Sequence, residues 1–107
     1  MNKLLLLLTL APCIVFGQTT LIPDANFEQA LIDYGYDLSL DGTVLTSNID
    51  TVTSLSVSSR NIADLTGIED FTALTGLYCQ NNQLLSLDLS QNIALVHLGC
   101  WNNQLTS

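Results

Sequence analysis

The sequence predicts an α/β solenoid, with short parallel strands stacked turn upon turn behind an N-terminal capping helix. Three observations carry this expectation. The segment Leu74-Thr75-Gly76-Leu77-Tyr78-Cys79-Gln80-Asn81-Asn82-Gln83-Leu84 lies on Leu95-Val96-His97-Leu98-Gly99-Cys100-Trp101-Asn102-Asn103-Gln104-Leu105 at a shift of 21, with every apolar and Asn position matched. Upstream, Val52, Leu55, Val57, Ile62 and Leu65 each stand 22 residues before Leu74, Leu77, Cys79, Leu84 and Leu87, so the array begins near Val52. Directly before it, Asp24 to Tyr34 carries the start, period and stop of a short helix.

Of the 107 residues, the first 17 read as an export signal that is later removed. Asn2 and Lys3 make a short positive start, Leu4 to Phe16 an apolar stretch, and Val15-Phe16-Gly17 the cleavage region. The stretch is short for a bilayer span, so no transmembrane segment is expected. Leu10-Ala11-Pro12-Cys13 competes as a lipoprotein box. Against it, Pro12 occupies a position that wants Gly, Ala or Ser, and apolar residues continue past Cys13. Cleavage takes Lys3 and leaves Arg60 against all ten acidic residues. An anionic surface of that kind repels phosphate backbones and anionic lipid, which argues against nucleic acid as a partner.

Residues 18–51 form the lead-in. Asp24 can N-cap a helix over about 24–34, in which Phe27, Leu31 and Tyr34 share one face at i, i+4 and i+7, and Gly35 ends it. A solenoid's first coil exposes an apolar end, and a helix placed here covers it. After the helix, Asp37-x-Ser39-x-Asp41-Gly42-x-Val44 matches the opening of a calcium loop. The twelfth position is Asn48, where a bidentate carboxylate belongs, so the segment reads as a polar turn and no metal is assigned.

Residues 52–107 are the repeats, the last one incomplete. In x-x-L-x-L the two apolar side chains point inward from a short strand and the residues between them point out. One strand does not bury its own inner face; stacked turns do, and they pair the strand backbones as a parallel ladder. Leu84-x-x-Leu87-x-Leu89-x-x-Asn92 repeats half of the motif between the two full copies, so units of 10 and 11 residues nest inside the 21. Asn82, Asn92 and Asn103 recur in register and read as interior amides that satisfy backbone groups where the chain leaves the strand.

With these residues in place, the sequence resembles the bacterial leucine-rich-repeat family, in its nested 21-residue class with an internalin-like 22-residue turn at the start. The likeness covers Ile22 to Ser107, and Ile22-Pro23-Asp24-Ala25-Asn26-Phe27 is similar to the opening of mature chains in that family. The resemblance implies a right-handed solenoid with short parallel strands on one face, and in the nested class room for short strands on the other face too.

Cys79 and Cys100 occupy the same inward slot in consecutive turns and read as a buried cysteine ladder. An exported compartment permits a disulfide, but side-by-side residues on parallel strands rarely meet its geometry. Zinc needs two further ligands, and His97 points away from Cys100 because their spacing is odd. The same His97 has no Ser-His-Asp arrangement around it, Glu69 and Asp70 are adjacent and tend to face apart, and no Gly-rich phosphate loop is present. Neither catalytic residues nor a cofactor are expected.

What remains is the outward face of the strands. It presents Gly76, Tyr78 and Gln80 on one turn, His97, Gly99 and Trp101 on the next, and Ser54, Ser56 and Ser58 on the turn before. Tyr78, Gln80, His97 and Trp101 are the candidate binding face, because exposed Tyr and Trp are frequent binding anchors. Trp101 reads equally as a cover for the next turn or a ring stacked on Gln80. The expected function is an exported scaffold, secreted or on the cell surface, that binds a protein or polysaccharide. The alternatives are a structural spacer or adhesin stalk, or the accessory region of a larger secreted enzyme. The chain stops within a repeat, so further repeats are expected in the full-length protein; were the array to end here, the open apolar end at Leu105 would favour self-association.

Overall fold

The computed structural model describes residues 17–106. The expected export signal, Gly17 apart, and the alternative lipid acceptor Cys13 lie outside the described residues.

The helix forms where its signals stand. Helix α1, Ala25–Asp33, is N-capped by Asp24, whose Oδ1 accepts from the backbone N–H groups of Asn26 and Phe27 at 2.9 and 3.1 Å. Gly35 follows at φ +86°, in the left-handed region that a Cβ disfavours. Phe27, Ala30 and Leu31 are fully buried, whereas Tyr34, on the same stripe, is half exposed.

Around the helix lies a pairing that the sequence does not announce. Strand β1, Thr19–Leu21, pairs antiparallel with β2, Thr43–Leu45, with Thr20 opposite Val44. A one-turn helix α2, Thr46–Ile49, follows and buries Ile49. Three-residue strands are too short to show alternation, so only the meeting of distant segments defines them. Thr20 is buried there; its hydroxyl donates to Asp70 Oδ2 at 2.7 Å and shares a hydrogen bond of the same length with Thr46 Oγ1.

The repeats form a parallel three-stranded sheet of β3 (Ser54–Ser56), β4 (Gly76–Tyr78) and β5 (His97–Gly99). Its register is the repeat itself: Leu55 pairs with Leu77 and Leu77 with Leu98, offsets of 22 and 21 residues. Inward slots fill the core, with Leu55, Val57, Ile62, Leu65, Leu74, Leu77, Cys79 and Leu84 all buried. Burial then falls along the array. Leu98, the counterpart of Leu55 and Leu77, is 47% exposed, because no further coil packs on it among the described residues.

Each turn leaves its strand in the same way. Ser59, Asn81 and Asn102 occupy one slot in successive turns, all with φ between 56° and 61°. Asn is among the few side chains that enter this left-handed region at low cost. Asn102 Nδ2 also donates to Asn81 Oδ1 at 2.7 Å, which links the corner of one turn to the next. The paired Asn-Asn of the motif therefore divides two tasks: the first residue turns the backbone, and the second enters the interior.

The return leg corrects one expectation. The nested half-motif from Leu84 to Asn92 makes no strand among the described residues, although the family resemblance allowed one. Its backbone donors are diverted into local turns: Ser90 N donates to Asp88 Oδ1, and Asn92 N to Leu89 O. One turn earlier Thr66 N donates to Asp64 Oδ1, and Ile68–Asp70 closes a 3-10 turn. Side-chain-to-backbone bonds of this kind compete with a ladder. Among the described residues, no helix is long and apolar enough to cross a membrane.

Candidate binding face

The outward positions of β3, β4 and β5 form three rows. Ser54, Gly76 and His97 align in one, and Ser56, Tyr78 and Gly99 in the next, by strand register. Ser58, Gln80 and Trp101 continue past the strand ends at the same offsets. The structure brings Tyr78, Gln80 and Trp101 together around Gly99. A Cβ at Gly99 would stand 2.8 Å from Trp101 Cζ3, 3.2 Å from Tyr78 Cδ1 and 3.2 Å from Gln80 Oε1. Trp101 remains 59% exposed, His97 is exposed, and Tyr78 is half-buried. Gln80 Oε1 is shielded from solvent and has no hydrogen-bond donor.

Tyr34, at the C-terminal end of helix α1, meets the edge of this sheet. Its hydroxyl donates to Ser56 O at 2.7 Å, and its ring lies 6.0 Å from that of Tyr36. The sequence placed Tyr34 on the buried helix stripe because its spacing from Phe27 and Leu31 is helical. Docking decides otherwise: the end of the helix reaches the edge of the sheet, where the Tyr34 hydroxyl bonds the backbone of β3 and the ring stays half exposed. Close by, Arg60 Nη1 meets Asp33 Oδ2 at 2.8 Å, and this hydrogen bond holds Asp33 below the usual carboxylate range.

Behind the face, Asn82 is buried and fully employed. Its Oδ1 accepts from Arg60 N and Ile62 N at 2.9 and 3.0 Å, and its Nδ2 donates to Val57 O and Cys79 O at 2.9 Å. Asn103 does the same one turn later: Oδ1 accepts from Leu84 N, and Nδ2 donates to Cys79 O and Cys100 O. Asn92 sits on the return leg, where Nδ2 donates to Ile68 O and Phe71 O, and its buried Oδ1 has no donor.

Cys79 and Cys100 follow the paired residues Tyr78 and Gly99, so they are neighbours in successive turns, and both are free thiols. Burial, reinforced by Cys100, pushes the Cys79 thiol up to about 11. At neutral pH it holds almost no thiolate, the form that a nucleophile or metal ligand needs.

The calcium-like segment gathers differently from its sequence pattern. Asp37 and Asp41 meet Glu28 of helix α1, with one oxygen of each within 4.8 Å of the others. Glu28 is 2% exposed and accepts from Asp41 N and Gly42 N at 3.2 and 2.9 Å. Those two N–H groups are the donors that the Glu28 carboxyl meets in this loop. Asn48 Nδ2 donates to Tyr36 O at 3.0 Å. Glu28 was invisible as a partner because its motif neighbours lie one element later in the chain.

Burial raises the Glu28 carboxyl above its ordinary value of 4.5, and a hydrogen bond to Asp37 adds to the shift. A proton held on Glu28 gives Asp37 a donor, and Asp37 Oδ2 is otherwise buried without one. A carboxyl raised on folding contributes stability that is complete below its unfolded value and is lost as pH rises through the folded one. Glu28→Gln fixes the neutral state, so its melting temperature should gain on that of the parent as pH rises from about 4 to about 7. Thermal melts across that range check this; a parent that gains on the variant as pH rises would refute it.

No protein-family model matches the chain. Among curated proteins it is 40% identical over 70 residues to Internalin J of Listeria monocytogenes serotype 4b (strain F2365), a match that takes in 65% of this chain and 8% of that protein. Among solved structures it is similar to the functional domain of InlJ from Listeria monocytogenes, described as including a cysteine ladder. That likeness has 38% identity and a TM-score of 0.72, and covers 85% of this chain and 21% of the other. It is also similar to the internalin InlF of Listeria monocytogenes strain 4b F2365, at 26% identity and a TM-score of 0.74, over 81% of this chain and 26% of that one. The chain thus spans a small part of the length of each relative.

Proposed function

This chain carries the repeat array of an internalin-like bacterial leucine-rich-repeat protein, and from that premise we propose that it is a non-catalytic binding module. It presents the face of β3, β4 and β5 to a protein or glycan outside the cell. Tyr78, Gln80, His97 and Trp101 make the contacts, and residues 18–51 seal the first coil as a cap. Export is carried by residues 1–17, and residues 52–107 are the recognition array.

One observation supports this above the others. The outward rows hold no Asp, Glu, Lys or Arg, although the chain has ten acidic residues. They hold instead aromatic, amide, imidazole and hydroxyl groups, and Tyr and Trp are the residues enriched in recognition surfaces. A spacer would need no aromatic residue there, and only the serine row of β3 matches that reading. Asn82, Asn92, Asn103, Cys79 and Cys100 serve the scaffold and not the ligand.

The test is binding of the biotin-tagged chain to an array of immobilised polysaccharides and surface glycoproteins. Trp101→Ala and Tyr78→Ala should each weaken the strongest hit about tenfold or more. Ser86→Ala with Ser90→Ala, on the return leg, should leave it unchanged. Loss in the return-leg variant, with full binding in the two aromatic variants, would move the site off the strand face.

A further inference from the structure

The aromatic residues of the strand face share a construction. Tyr78 and Trp101 each follow a glycine by two residues, which places each glycine on the same side of the sheet as its aromatic ring. Neither Gly76 nor Gly99 has a positive φ, so backbone freedom does not explain them. At Gly99 space does. A Cβ at Gly76 would lie 3.4 Å from both Cε2 and Oη of Tyr78 and 3.7 Å from its Cζ, an ordinary contact. The Tyr78 ring therefore folds back along the strand toward position 76, in a looser contact than the one at Gly99. Trp101 does the same over Gly99, and Tyr78 Cδ1 borders that gap from the other side. Trp101 is still 59% exposed and Tyr78 half-buried, so both rings reach solvent.

We propose that Tyr78 and Trp101 form a platform for the apolar face of a sugar ring, that Tyr34 extends it, and that the ligand is a neutral polysaccharide. This rests on the reading of the strand face as the binding surface and narrows its ligand class. An aromatic face carries negative charge density and attracts the weakly positive C–H edge of a neutral ring. The hydroxyls of Ser54, Ser56 and Ser58 and the His97 imidazole stand around the platform as hydrogen-bonding groups. Gln80 Oε1, shielded beside Gly99 without a donor, is an acceptor that a sugar hydroxyl satisfies when the Trp101 ring shifts.

Charge separates this ligand from its rivals. A polyanion is repelled by the acidic chain, and a basic protein surface finds its counter-charges off the face, since the outward rows carry none. Tyr34 fixes the direction in which a chain would run. Its hydroxyl is anchored on Ser56 O, one strand step from Tyr78, and adjacent strands stand about 4.8 Å apart. The rings therefore follow one another across the strands, along the axis of the solenoid.

Trp101 is the one tryptophan of the chain, so its fluorescence reads this site alone. The full chain is titrated with chitohexaose, cellohexaose and mannohexaose, with dextran sulfate and polylysine as charged controls. At least one neutral hexasaccharide should shift the emission saturably. By calorimetry Tyr78→Ala should weaken it about tenfold, as should Gly99→Ala, which lifts the rings, and Tyr34→Ala should weaken it severalfold. No response to any neutral sugar at about 10 mM, well above a millimolar dissociation constant, overturns the glycan assignment. Glycoprotein binding that resists periodate oxidation yet disappears in Trp101→Ala also removes the glycan but keeps the strand face. Sugar binding that survives both Trp101→Ala and Tyr78→Ala removes both.

Discussion

Asn82→Ala should cost about 3–4 kcal/mol of folding stability, a large fraction of the roughly 5–13 kcal/mol available to the described length of chain. The substitution leaves two backbone N–H groups and at least two carbonyls without the amide that now serves them. A buried polar group left unpaired costs about 1–3 kcal/mol, and water entering the vacated space recovers part of the sum. Asn103→Ala should cost less, because Asn103 is only partly buried and water reaches its partners. Urea unfolding followed by circular dichroism gives both values. Asn82→Asp separates hydrogen bonding from packing: it keeps the shape and the acceptor but turns a carboxylate toward Val57 O and Cys79 O. Its pKa should rise on folding, so its deficit should shrink as pH falls. An Asn82→Ala cost below about 1 kcal/mol would show that the interior amides are dispensable.

Phe27→Ala should be comparably damaging, at about 3–5 kcal/mol. Phe27 is fully buried, and its ring stacks on Phe71 with centroids 6.1 Å apart and planes 28° apart, so the helix is fastened to the core of the first turns. Asp24 adds a second fastening: while Oδ1 caps the helix, Oδ2 accepts from Ala63 N and Asp64 N at 2.9 and 3.0 Å. Removing the ring opens a cavity between helix and coil that neither side fills by shifting without breaking those bonds. The urea slope distinguishes two outcomes. An unchanged slope means that the helix unfolds with the array. A lower slope, with early dye binding, means that the helix detaches first and leaves the coil end exposed. A cost under about 1 kcal/mol would place the helix outside the cooperative unit.

The array was legible because its signal is repetition. Leu55, Leu77 and Leu98 stand 22 and 21 residues apart in the chain and opposite one another in the sheet. Helix α1 was legible for a related reason: Asp24, the Phe27–Leu31 stripe and Gly35 act within a few residues of one another. The strand-face residues follow from the same register, since an inward Leu77 forces Tyr78 outward. The Gly-x-aromatic pairs were also visible as letters, but their meaning was not, because composition does not say which way a ring folds.

Other features depended on contacts between segments that do not repeat. The β1–β2 pair joins residues more than twenty positions apart through three-residue strands, too short for a pattern. Nothing in the spacing marks Glu28 for burial, yet docking buries it against the Asp37–Asp41 loop and raises its carboxyl. Tyr34 shares a helix face with Phe27 and Leu31, and the same docking leaves it half exposed at the edge of β3. Thus the sequence by itself determined the solenoid, its register and its outward rows, because a translational repeat carries its own alignment. Only the tertiary structure decided what meets at the N-terminal end and how the rings lie, because those arrangements come from single, unrepeated contacts whose energies no spacing encodes.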